Sequence, residues 1–426
     1  MAGLLLLSIF IGTIIIGLPV FFSMGIITIV GLNSLGMTNL MVIAQKMFSG
    51  IDNFTYLCIP LFVLSGEIMS RCGMLKSLED FCSSLVGHIR GGLAQVNVLG
   101  SMLFAGISGS ATADMTSLGK IEIEMMTEAG YNRVYATTVT AASAIIAPII
   151  PPSNIMIIYA VCASNVSVTA MFLGGILPGI LLGVVEMALC YIYAIKYKHP
   201  RDRKFSWKER LQVTWETLPA LGLPVIILGG IVFGIFTATE ASAVAVLYAL
   251  IVAISKKSIT WKSFYQCCVS TGKATANVLA IIGIASAMGY AITVLRIPQD
   301  LVQFFSQYLN SRIAFLIFVN ILLLLLGLFM DQAPALLVIT PVILPLAIKF
   351  GIDPIHFGIL VCFNLTIGLI TPPVGMQLFV GANVGRVKLS ELYRSIWPFV
   401  VVGMIVLLLI TYVPGIVTLI PHALGY

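Results

Sequence analysis

Apolar stretches of about 20 residues, each long enough to cross a hydrocarbon core of about 30 Å, recur along the chain with short polar breaks between them. In the first half the pattern predicts spans near 3–19, 21–35 and 53–71, a segment at 93–128 broken by a polar tip, and spans near 132–162 and 169–195. The same order returns in the second half: spans near 219–236, 239–255 and 276–294, a broken segment at 314–349, and spans near 353–382 and 395–415. Stretches near 37–50 and 257–272 are expected as amphipathic helices along the membrane surface. No soluble-looking block separates these elements. The pattern therefore predicts an all-α polytopic membrane bundle of about 10 spans plus two re-entrant helical hairpins.

Composition agrees. Of 426 residues, 59% are hydrophobic and 9% charged, against roughly 25% charged in a soluble domain. The formal net charge is +6, but the basic residues sit beside the spans, as topology signals do, which favours the lipid bilayer over nucleic acid as the partner. The 8 cysteines form no C-x-x-C pair and the 4 histidines lack metal-ligand spacing, which argues against a metal or redox centre. The opening MAGLLLLSIF has no positive n-region and its apolar run outlasts that of a signal peptide, so a retained first span is expected.

A shift of 221 lays Gly106 on Gly327, Gly130 on Gly351, and Pro151 and Pro152 on Pro372 and Pro373. With nearly the same shift, 66–81 falls on 289–305 and Pro178 on Pro398. An ordered series of Gly and Pro marks an internal repeat, because these residues punctuate backbone geometry. The expected organisation is a first repeat over 1–195 (hairpin 93–128, broken helix 132–162), a cytoplasmic basic linker over 196–218, and a second repeat over 219–426 (hairpin 314–349, broken helix 353–382). If both hairpins re-enter, each repeat crosses an odd number of times and the two are inverted. With the basic run KYKHPRDRKFSWKER (196–210) inside, all 23 Lys and Arg except Lys46, Arg296, Arg312 and Lys349 fall on the cytoplasmic side. That bias places both termini in the periplasm.

Inverted repeats with discontinuous helices are the build of secondary transporters, whose sites lie near the midplane where half-helices end. A hairpin turn in lipid leaves N–H and C=O groups unpaired, and such backbone persists only where it faces protein, water or a ligand. The first tip offers Gly106, Ser108, Gly109, Ser110 and Thr112; the second, GLFMDQAPA (327–335), sets Asp331 opposite Ser110. APIIPPSN (147–154) and GLITPPVG (368–375) interrupt the following spans, and their proline pairs free upstream carbonyls at Ala147, Ile150, Pro151, Gly368 and Thr371. Such hard oxygens suit a small cation such as Na⁺. Small residues also serve close helix packing and Pro kinks also serve as bends, but here both recur at one shift beside polar side chains. Asp114 is either a cap of the returning helix or a substrate or ion group. Glu67 and Glu186 stand alone in apolar spans, where a helix partner or interior water explains them as well as function does; Glu240 in TATEASA is expected to cap the helix that follows.

SGSATAD, APIIPPS, MDQAPALLVITPVILPL, GIDPIHFG and IGLITPPVG resemble the hallmark segments of the large membrane subunit of tripartite ATP-independent periplasmic (TRAP) transporters, and the similarity runs over essentially the whole chain. The resemblance implies a scaffold and a mobile transport domain working as an elevator, Na⁺ as coupling ion without an organic cofactor, and a bacterial inner-membrane location. It also implies two partners: a periplasmic substrate-binding protein that delivers a carboxylate such as sialic acid or a C4-dicarboxylate, and a small four-helix membrane subunit, separate here. Carried over, the ion ligands are Ser108, Gly109 and Ser110 with Ala147, Ile150 and Pro151, and Gly327 and Asp331 with Gly368 and Thr371. Substrate contacts are expected from Ser110, Thr112, Asp114, Ser153, Asn154, Asp331, Gln332 and Pro373, with helix N-termini at 110–112 and 332–335 adding favourable dipoles. The nearest rival is a stand-alone Na⁺- or H⁺-coupled dicarboxylate or anion transporter that needs no binding protein. A membrane enzyme would require a convergent cluster of nucleophile, acid and base, which so few ionisable residues do not supply.

Overall fold

The structure, a computed structural model, describes residues 6, 8–10, 12, 13, 16–34, 36, 40–163, 166–201, 204–297, 299, 300 and 311–426. Much of the span expected at 3–19, part of the repeat match at 289–305 and Arg203 lie outside that set. Among the described residues there are helices and no strand, as a lipid-embedded backbone that must satisfy its own polar groups requires.

The first half contains α1 (Val20–Asn33), α2 (Leu40–Ile51), a 3₁₀ turn (Phe54–Leu57), α3 (Cys58–Arg71), α4 (Met74–Val86), α5 (Gly92–Ser108), α6 (Ala111–Glu128), α7 (Arg133–Ser143), α8 (Asn154–Ala163) and α9 (Val168–Lys196). The second contains α10 (Trp207–Val232), α11 (Ala238–Ser255), α12 (Trp261–Val294), α13 (Arg312–Phe329), α14 (Gln332–Lys349), α15 (Pro354–Gly368), α16 (Met376–Gly385), α17 (Leu389–Ser395), α18 (Trp397–Tyr412) and α19 (Gly415–Ala423). Six of these, α9 to α14, are long and apolar enough to cross a membrane, and up to eight spans result if the pairs α2/α3 and α17/α18, bent by 62° and 50°, each count as one. The broken helices α7/α8 and α15/α16 are too short singly to be counted.

Equivalent positions of the two halves carry equivalent caps. Ser110 caps α6 and Asp331 caps α14. Asn132 accepts from Val134 N at 2.8 Å at the head of α7, and Asp353 accepts from Ile355 N at 2.7 Å at the head of α15. Each cap satisfies N–H groups that a helix start leaves orphaned.

Two elements differ from the sequence expectation. The helix starting at Trp207 runs unbroken through Pro219 and Pro224, so it begins inside the stretch expected as linker and continues into the span. Ser206 and Glu209 form a capping box there, and membrane helices tolerate proline because neighbours re-satisfy the freed groups. The surface helix expected at 257–272 is instead the first part of α12, since Gly272 alone does not break a helix of 34 residues.

The helices pack as two sets. Helix α12 packs on α1, α2 and α3, α3 on α11, α11 on α10 and α10 on α4; α5 to α9 and α13 to α19 form the second set, and α4 on α5, α12 on α14 and α3 on α5 join the two. Within the second set the halves interlock crosswise: α6 lies on α16, and α14 lies on α8. Close approach rests on small residues, as it does where lipid removes the hydrophobic drive for helices to associate. A Cβ at Gly358 would overlap the Tyr159 ring, and one at Gly183 would overlap Met102.

Candidate functional site

The first tip is a two-residue turn. Gly109 takes the left-handed conformation at φ 57° and ends α5, and Ser110 is extended and starts α6. A side chain at Gly109 would overlap the Pro152 carbonyl and lie 3.4 Å from Ser153 Cα, so the turn sits directly on the interrupted segment of the following helix. That segment leaves the α-helix at Ser143, makes a 3₁₀ turn over Ala144–Ile146 and resumes at Asn154. Ser153 ties the break together by donating to the Pro148 carbonyl and accepting from Met156 N at 3.4 Å.

The carbonyls of Ala147, Ile150 and Pro151 accept no hydrogen bond among the described residues. The Ser108 hydroxyl is likewise without a partner although only 8% of the residue is exposed. Unpaired buried oxygens are costly and call for a ligand. The close contact between tip and break is at Gly109, which seats on the Pro152 carbonyl and Ser153.

The second tip repeats the plan with differences. Gly327 in the last turn of α13 lies 3.2 Å, by its added Cβ, from Gly368 Cα. Met330 and Asp331 make the turn, and Asp331 Oδ1 accepts from Gln332 N at 2.8 Å. The Gly368 carbonyl already accepts from Thr371 N at 3.1 Å and the Thr371 hydroxyl donates to Ile367 O at 2.8 Å, while the Thr371 carbonyl accepts no hydrogen bond among the described residues. Both proline pairs, Pro151–Pro152 and Pro372–Pro373, contain a cis peptide bond.

The expected substrate residues differ in exposure. Thr112, Asp331 and Pro373 are exposed, Ser110 and Asn154 are half-buried, and Gln332 and Ser153 are buried. Asp114 is 1% exposed and is turned into the hairpin beside Ser101, on the far side of α6 from Thr112. It does not cap α6, a role that Ser110 fills by accepting from Ala113 N. Among the remaining acids, Glu67 pairs with Arg71 at 3.3 Å, Glu240 completes a capping box with Thr237, and Glu186 is fully buried with both oxygens unpartnered.

Three polar contacts were not legible in the sequence. Gln377 Nε2 donates to the Ala111 carbonyl at 2.9 Å, joining the second half's break to the first half's tip. Ser143 donates to Asn97 Oδ1 at 2.7 Å, and Asn364 donates to Asn320 Oδ1 at 2.8 Å. Each of the latter staples a hairpin's first arm to its broken helix, and Ser143 and Asn364 stand at the same shift of 221. That coincidence of polar residues in apolar helices was the available signal. A cavity of about 270 Å³ opens where the two helix sets meet, lined among others by Tyr56, Cys162, Ser286 and Leu337; none of the predicted site residues lines it.

The fold resembles that of the Alcanivorax borkumensis YdaH transporter, with a TM-score of 0.66 over 88% of each chain at 15% identity. In sequence, the chain is 39% identical over 417 residues to the sialic acid TRAP transporter large permease protein SiaM of Vibrio cholerae, covering 97% of both chains. It is 38% identical over 384 residues to the C4-dicarboxylate TRAP transporter large permease protein DctM of Pseudomonas aeruginosa, covering 90% of both. Residues 7–416 match the family model of the tripartite ATP-independent periplasmic transporter, DctM component. Broken helices, paired tips and this match over nearly the full length agree, and the chain belongs to the DctM family of large permease subunits of TRAP transporters.

Proposed function

We propose that the chain is the transport subunit of a Na⁺-coupled importer of an organic acid. The carrying observation is the break of the first half, where the Ala147, Ile150 and Pro151 carbonyls and the buried Ser108 hydroxyl have no hydrogen-bond partner among the described residues and Gly109 of the tip seats on the Pro152 carbonyl. Neutral oxygens without a basic side chain suit a small hard cation. The bound cations and the N-termini of α6 and α14 then offset the charge of a carboxylate at mid-depth. Relatives named for sialic acid and for C4-dicarboxylates support a carboxylate substrate.

Movement of the second helix set against the first provides alternating access in this reading, with both termini in the periplasm and the two hairpins re-entrant. Support for sliding comes from bare backbone where the sets touch: an added Cβ on Gly66 of α3 lies 3.1 Å from Ile107 O, and one on Gly106 lies 2.9 Å from Pro224 of α10. Membership of a tripartite family supports assembly with a periplasmic binding protein and a small membrane subunit in the inner membrane over a carrier acting alone.

Uptake in proteoliposomes tests the reading. The chain, reconstituted with its small subunit and loaded binding protein, is expected to import substrate only under an inward Na⁺ gradient. Equal uptake with K⁺ in place of Na⁺ overturns the coupling, and uptake without the binding protein overturns the tripartite assembly.

A further inference from the structure

Two acids at the base of the first hairpin take no part in the tips. Glu122 on α6 and Glu79 on α4 are 1% and 2% exposed, and no carboxyl oxygen of either has a hydrogen-bond partner. Glu122 presses on the bare backbone of the first arm, where a Cβ at Gly100 would lie 3.0 Å from its Oε1. Glu79 lies on α4, which packs on the same first arm, α5, as α6 does, and the two carboxyls, with the fully buried Cys82 thiol, are within electrostatic range of one another.

The surroundings supply little counter-charge. Helices α5 and α16, both packed on α6, carry no titratable side chain. At the head of α7, Arg133 donates to Gly385 O and Tyr135 is turned toward Cys190. Asp114 lies on the tip side of Glu122. On α4 itself, exposed Lys76 and Asp80 stand beside Glu79, and Glu216 of α10 faces Asp80. Lys208, Glu209 and Arg210 lie at the start of α10, and Arg71 on α3 is paired with Glu67. A bare carboxylate held there is costly. No convergent group of three or more His, Cys, Asp or Glu suits a metal ion among the described residues.

We propose that Glu79 and Glu122 form a proton-binding site separate from the two tips, filled from the exposed Lys76–Asp80 edge of α4. Protons delivered by water convert the Glu79 and Glu122 carboxylates to the neutral acids, one proton for each. Glu122 has no counterpart in the second half, since the shift of 221 sets Ile343 opposite it. The proposal does not rest on Na⁺ binding at the tips.

Infrared spectroscopy of the purified full chain tests it, through the carbonyl band of protonated carboxyls in water and after exchange into deuterium oxide. Glu79→Gln and Glu122→Gln are each expected to remove one such band, and both bands are expected to shift soon after exchange. Glu186, buried on another helix and assigned with Glu186→Gln, is the slow internal reference. Variants that retain the full set of protonated bands, or bands that exchange no faster than that of Glu186, overturn the proposal. Where a Gln variant fails to purify as a single species, the wild-type spectrum decides: absence of any fast-exchanging protonated carboxyl overturns it equally.

Discussion

Gly327 and Gly368 meet backbone to backbone: a Cβ placed on Gly368 would lie 2.7 Å from Gly327 Cα and 3.0 Å from its carbonyl oxygen. No flexible side chain stands at this contact to give way, so the hairpin and the broken helix must separate when either glycine gains a side chain. Overpacking of this kind costs about 1–3 kcal/mol. Gly368→Ala is therefore expected to lower the melting temperature of the purified chain and to impair Na⁺-driven uptake severely. Wild-type uptake in Gly368→Ala would show that this contact does not shape the site.

The proposed first-half ion site makes a graded prediction, because its ligands would be mostly backbone. Ser110→Ala removes a weak cap of 3.4 Å and is expected to slow uptake only mildly. Ser108→Ala removes one neutral oxygen, worth about 1 kcal/mol or roughly fivefold in Na⁺ affinity. Gly109→Leu forces a side chain into the Pro152 carbonyl and is expected to abolish Na⁺ dependence, as is Pro151→Ala to a large degree. Sodium titrations of uptake check the order; a Ser110→Ala loss exceeding that of Gly109→Leu contradicts it.

The two turns and the two helix breaks were visible in the order of glycines and prolines. Gly109, Gly130, Gly351 and the two proline pairs occupy positions where backbone geometry admits few alternatives, whereas the caps were less legible: Ser110 rather than Asp114 caps α6, and Asp331, Asn132 and Asp353 cap α14, α7 and α15. Element boundaries were less legible where a breaker failed to break: Pro219 and Pro224 stay inside α10, and Gly272 stays inside α12. Partner choice was not legible at all. Gln377 finds Ala111 across 266 positions, and the burial of Asp114 away from Thr112 depends on how α6 is rotated against α5 and α7. One-dimensional spacing fixes a helix's faces but not which neighbour each face meets.

Ser110 and Asp331 hold the same capping position in the two halves, but only Asp331 brings a charge. Its two roles are separable. Asp331→Ala is expected to cost about 1 kcal/mol through the lost cap and also to weaken Na⁺ binding. Asp331→Ser restores a capping oxygen, so thermal stability should return while Na⁺ affinity stays low. Recovery of both properties in Asp331→Ser would assign Asp331 to the cap alone.

Outside the spans, His199 at the start of the linker lies against the rings of Tyr131 and Tyr135, with centroids 4.7 and 4.8 Å away. Burial there pushes its pKa below the ordinary value of 6.5. The native chain then binds fewer protons at this position than the unfolded chain, so stability rises with pH across the titration. The contribution is complete above the ordinary histidine value and is lost as the pH falls below it. Melting temperatures recorded from about pH 7.5 down to about pH 5.5, either side of the histidine range, should therefore decline, and His199→Phe, which keeps an aromatic ring among the tyrosines, should flatten part of that decline. An identical slope in wild type and His199→Phe would remove His199 as its source.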